Sequence, residues 1–143
     1  TLDGEFVEDT IDWFSQHENG DVWYMGEISK NYEEGFLSDI DGSWRAGVEQ
    51  AEPGIVMLDD PRVGDIYRQE FFLNEAEDMA IVIDTNVTVS VPAGTFHHCI
   101  ETEDWTPLEP DSFERKFYAP GVGNVLNVNL ATGERTELVQ IIN

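Results

Sequence analysis

The sequence predicts an all-β fold: a curled antiparallel meander forming a half-barrel, barrel or sandwich, with one short helix. Three observations carry this expectation. Short runs rich in Val, Ile, Phe, Tyr, Trp and Thr recur along the chain, with Gly, Pro, Asn and Asp between them. Outside one segment there is no sustained 3.6-residue periodicity. The connections between runs are too short to hold the crossover helices of a parallel sheet. With 143 residues, 41% hydrophobic and 11% aromatic, the chain has the size and bulk to build one core, so residues 1–143 are expected to form a single β-rich domain.

Taken in order, strand-like runs cover Asp9 to Ser15 and Asp21 to Ile28, and His17-Glu18-Asn19-Gly20 joins them as a hairpin, where Asn-Gly supplies positive φ. A second turn falls at Glu33-Glu34-Gly35, and Asp41-Gly42 breaks the run leading to Trp44. Pro53-Gly54, the run Ile55 to Leu58 and Asp59-Asp60-Pro61 read as a crossing with one short strand. Val63 to Phe72 reads as a longer strand. Leu73 to Ala80 combines a capping Asn with Ala, Glu and Met over two turns and is the predicted helix. Ile81 to Asp84 and Val87 to Val91 follow, divided by Thr85-Asn86. The runs Phe96 to Trp105, Phe113 to Ala119, Val122 to Leu130 and Glu134 to Ile142 complete about ten strands, the last pair turning at Ala131-Thr132-Gly133. Trp23 and Trp105, each on a strand, are expected to be largely buried.

Charge narrows the partners. With 30 Asp and Glu against 7 Lys and Arg the net charge is −23, which repels a phosphate backbone or an anionic membrane. Nucleic acid is therefore excluded as a natural partner. No run approaches the roughly 18 apolar residues of a membrane span, so no membrane insertion is expected. The partner expected is a small ligand or a protein. Cys99 is the single cysteine, so no intrachain disulfide and no Cys-rich cluster can form. The sequence opens Thr1-Leu2-Asp3-Gly4, without Met, as a processed chain would after an export signal is removed.

Two stretches resemble known sequences. DWFSQHENGDVWYMGE, from Asp12 to Glu27, is similar to a segment of uncharacterised bacterial domains. The second series starts with PGIVMLDDPRVGDIYRQEF at Pro53 and continues through EAEDMA, VPAGTFHHC and WTPLEP to YAPGVG at Tyr118 to Gly123. It resembles exported or lipoprotein-like bacterial β domains. The resemblance spans Asp12 to about Val139 and implies an extracytoplasmic setting (periplasmic, cell-surface or secreted), with no established activity. The three histidines, His17, His97 and His98, stand where that pattern more often has other polar residues.

Few residue sets suggest chemistry. On a regular strand His97, Cys99 and Glu101 share one face, a donor set that suits Zn²⁺ or Cu, although one strand rarely completes such a site. For Ca²⁺, the cofactor an acidic surface would suit, the candidates are Asp39 and Asp41 in the Asp-x-Asp-Gly turn and the cluster Glu70, Glu75, Glu77 and Asp78. The twelve-residue EF-hand loop fails, because Gln50 occupies its last position. Trp13 and Trp44 are candidate ligand-contacting aromatics. Neither a nucleophile elbow, a zincin motif, a phosphate loop nor a dinucleotide fingerprint is present, and no catalytic residue is assigned. The leading expectation is a noncatalytic extracytoplasmic module that binds a ligand or partner and carries an acidic, Ca²⁺-holding surface. The alternative is a Zn, Cu or redox protein built on His97-His98-Cys99.

Overall fold

In the computed structural model, which describes residues 7–74 and 76–142, the described residues form two antiparallel sheets, neither closed into a barrel. The chain divides into two compact units. One holds the chain up to Asp59 with Arg68–Glu77; the other holds Asp60–Tyr67 with everything from Asp78 onward.

In the first unit β1 (Glu8–Gln16) and β2 (Val22–Glu33) form the long hairpin expected around Asn19-Gly20. β3 (Phe36–Asp39), β4 (Trp44–Arg45) and β5 (Glu52–Met57) then lie end to end along β2, pairing with its residues 31–33, 26–27 and 22–24 in turn. Among the described residues, β1 alone covers the other edge of β2. The β2–β3 turn places Glu34 at φ 50° and Gly35 at φ 80°, two successive left-handed residues as a tight hairpin turn requires. The core of this unit gathers Tyr24, Trp44, Ala51 and Ala76, with Phe72 and Val56 packed on it.

The second unit is a meander. It starts with β6 (Ile66–Arg68) and, once the chain has added the short β7 (Glu70–Phe71) to the first unit, runs through β8 (Met79–Val91), β9 (Gly94–Thr106), β10 (Glu109–Ala119), β11 (Gly123–Asn129) and β12 (Arg135–Glu137). The spatial order is β12-β11-β10-β9-β8-β6. Val89, Cys99, Ala119, Val125 and Leu126 form its core, with Phe96 and Phe117 against them.

Four expectations are corrected. Among the described residues from Leu73 to Ala80 there is no helix: Phe72 and Ala76 exchange two backbone hydrogen bonds of 2.8 Å, Asn74 sits at φ 64°, and Met79 already belongs to β8. Glu77 Oε1 accepts from the Asn74 amide at 2.7 Å, so the residues that signalled a helix cap close a turn instead. Nor is Val63 to Phe72 one strand. β6 belongs to one sheet and β7, paired with β5, to the other, with the buried Gln69 between them. The backbone passes so close to Gly54 that a Cβ there would lie 2.1 Å from the Gln69 carbonyl oxygen, which explains the glycine. Conversely, the two runs from Ile81 to Val91 are one strand, β8, whose register with β9 shifts around Asp84 and Val87. Trp23 and Trp105 are half-buried, whereas Trp44 is the tryptophan in the core, at 4% exposure.

Candidate functional site

The residues proposed as metal ligands do not converge. In the β8–β9 ladder Val87 faces Cys99 and Val89 faces Phe96, so Thr88 alone opposes both His97 and His98. This is a bulge, with His98 at φ 57°. The extra residue shifts the alternation, which sends Phe96 and Cys99 into the core and leaves both imidazoles at the surface. His97 Nδ1 lies 3.1 Å from Thr88 Oγ1, and His98 Nδ1 lies 2.7 Å from Asn86 Oδ1. Burial pushes the Cys99 thiol up, away from the thiolate that metal binding or nucleophilic chemistry needs. Glu101 accepts from Arg115 Nη1 at 2.6 Å. His17 lies in the β1–β2 turn of the other unit, where its Nδ1 accepts from the Asn19 amide.

The acidic candidates are equally separate. Asp39 accepts from Asn31 Nδ2 at 2.6 Å, Ser38 Oγ at 3.0 Å and the Asp41 amide at 3.1 Å. These donors, Asn31 first, hold its carboxyl below the usual carboxylate range. Asp41 contributes its carbonyl oxygen to Asn31 Nδ2, so the Asp-x-Asp-Gly stretch is an Asx turn tied to β2. Glu70 is buried in the first unit, Glu77 bonds the Asn74 amide, and Asp78 belongs to the second unit; Glu75 lies outside the described residues. Among the described residues, no three His, Cys, Asp or Glu could hold a metal ion together.

The structure brings together a different polar set, in the second unit. Opposite β9, the adjacent Arg115 and Lys116 point to opposite faces of β10. Arg115 bridges Glu101 and Glu103 on one face, with Arg115 Nη2 2.8 Å from Glu103. On the other, Lys116 Nζ lies 3.1 Å from Asp104, which is 3% exposed and also accepts from Thr102 Oγ1 at 2.5 Å. Burial opposes the Lys116 charge, but Tyr118, Asp104 and Glu114 outweigh it and hold the ammonium above its ordinary range. Asp78 is pushed up by burial, and Lys116 only partly offsets this. Alternation places the adjacent Arg115 and Lys116 on opposite faces, but which acids they meet is set by the register of β9 against β10. Asp78 is the titrating member with a stability consequence. Its folded pKa is raised, so its contribution is fully present below the unfolded value and lost as pH rises through the folded one. Asp78→Asn is therefore expected to melt higher than the parent at neutral pH, the advantage vanishing in acid; thermal melts across that range check it.

The first unit presents an exposed surface on β1. In the register Asp9, Ile11 and Trp13 oppose Lys30, Ile28 and Gly26. One face of the hairpin thus carries an ion pair of 3.1 Å between Lys30 and Asp9, then Ile11 at 47% exposure beside Ile28 at 37%, then Trp13 at 40% over a glycine with no side chain of its own. The opposite face carries Asp12 and Phe14. Phe14 stacks on Tyr24 at 5.1 Å, and Tyr24 meets Trp44 edge-on at 5.2 Å. Asp12 and Glu27, directly opposed across the two strands, both accept from the single Tyr24 hydroxyl, at 2.5 and 3.0 Å. Burial first, then Asp12, pushes that phenol far above its ordinary range, so it stays a neutral donor. Of the two aromatic candidates, Trp13 is therefore surface and Trp44 core. No family model, no curated protein and no solved structure matches the chain.

Proposed function

We propose that this chain is a noncatalytic binding module that holds a cationic, partly apolar segment of a protein partner against the β1–β2 hairpin. The observation that carries the reading is the exposed row Ile11, Ile28 and Trp13, contiguous apolar surface on one face of a hairpin whose other face carries the carboxylates of Glu8 and Asp12, on a protein of net charge −23. Isolated exposed apolar residues are ordinary, but a paired row with an aromatic anchor is the composition of a recognition surface. An extracytoplasmic setting is part of the proposal and rests on the resemblance to exported bacterial domains. The metal-dependent alternative has less support, because Cys99 packs in the core while both β9 histidines stay at the surface.

Titration calorimetry with a peptide of alternating Val and Lys tests the reading. The parent protein is expected to bind it, more weakly as NaCl screens the charge. Trp13→Ala is expected to weaken binding by about tenfold or more while leaving the melting temperature close to the parent's, since the indole is exposed. No binding, or equal affinity of parent and variant, would overturn the proposal.

A further inference from the structure

Resting on that reading, we infer that the partner binds as an added β-strand along the free edge of β1, with a basic, extended segment completing the first sheet. Three observations converge. Among the described residues β1 ends its sheet, whereas the other edge of β2 is filled by β3, β4 and β5. The direction of its backbone groups is also fixed. At one end the Tyr32 amide donates to Val7 O at 2.9 Å, and at the other the His17 amide donates to Asp21 O at 2.9 Å. Val7 and His17 are separated by an even number of positions, and the register irregularity after Trp13 skips a residue of β2, not of β1. Odd-numbered residues of β1 therefore bond to β2, and Glu8, Thr10, Asp12, Phe14 and Gln16 turn their amides and carbonyls outward.

A nine-residue edge strand whose even-numbered residues turn their backbone groups outward is a template for strand addition, in which main-chain bonds give affinity and flanking side chains give selectivity. Charge selects the occupant. β1 carries Glu8, Asp9 and Asp12 and no cation. A second copy pairing antiparallel would set these acids against one another, whereas a Lys- or Arg-bearing strand sets opposite charges in register. Apolar residues alternating with those cations would extend the Ile11 and Trp13 row on the same face.

The test compares the alternating Val/Lys peptide with a version N-methylated at every second residue, which keeps charge and side chains but cannot pair along one edge. The methylated peptide is expected to bind at least about tenfold more weakly. Thr10→Pro, which removes one outward amide at a position where an edge strand tolerates proline, should reproduce the loss on the unmodified peptide. If that variant does not fold, the peptide comparison decides alone. Equal binding of both peptides, with Trp13→Ala still weakening each, would overturn strand addition and leave the binding face standing. Failure of the unmodified peptide to bind would overturn both. A dimer of the protein alone that Thr10→Pro disperses in sedimentation would overturn the choice of a basic partner in favour of a second copy.

Discussion

Lys116→Met is expected to cost about 3–5 kcal/mol of stability at neutral pH, because it leaves Asp104 buried beside an apolar side chain of similar length. Only 20% of the Lys116 side chain is exposed, so solvent cannot replace the lost ammonium. The neighbouring Asp78, already raised by burial, loses its one offsetting cation and should move further up. Denaturant unfolding checks both parts. The penalty should be largest at neutral pH and shrink as the medium becomes acidic enough to protonate carboxyl groups, which no longer need the ammonium once neutral. A loss within about 0.5 kcal/mol, the size of an ordinary surface change, would show that the pair is solvated.

Trp44→Ala should produce a loss of about the same size, about 3–5 kcal/mol, through a different mechanism. The indole is 4% exposed, lies edge-on to Tyr24 and packs with Ala51 and Ala76, small side chains that cannot move in to fill the space. The cost is cavity as well as lost transfer energy, and it should vary little with pH. Trp13→Ala provides the control within the same unit: a tryptophan ten-fold more exposed, 40% against 4%, whose removal should leave unfolding almost unchanged. Two tryptophans grouped by the sequence as ligand contacts thus separate into an anchor of the fold and a candidate anchor for a partner.

Most of the strands and turns were legible because they depend on local chemistry: alternating apolar residues, Asn19-Gly20, Glu34-Gly35 and the turn at Ala131-Thr132-Gly133 act within a few residues of chain. What was not legible depends on distant contacts. The helix signal at Leu73 to Ala80 failed because the Phe72–Ala76 bridge and the Glu77 side chain satisfy the same backbone groups that a helix would have used. The His97, Cys99 and Glu101 face failed because one bulge reverses alternation, and a bulge has no reliable local signature when its residue with positive φ is His98 and not glycine. The Lys116–Asp104 pair was hidden for the opposite reason. Its residues are ordinary strand polars, and only the register of β9 against β10 makes them partners. The β1 surface was half visible: Trp13 stood out by type, but that β1 ends its sheet follows from β3, β4 and β5 sharing the other side of β2.

Backbone amide exchange read residue by residue, with and without the Val/Lys peptide, tests the central claim most directly. In the free protein the amides of Ile11, Trp13 and Ser15, bonded to β2, should exchange slowly, and those of Glu8, Thr10, Asp12, Phe14 and Gln16 quickly. Saturating peptide is expected to slow that second set by about tenfold or more, with the first set changing little. Slowing confined to other strands, or outward amides of β1 that exchange equally fast in both states, would contradict an edge that receives its partner as a strand.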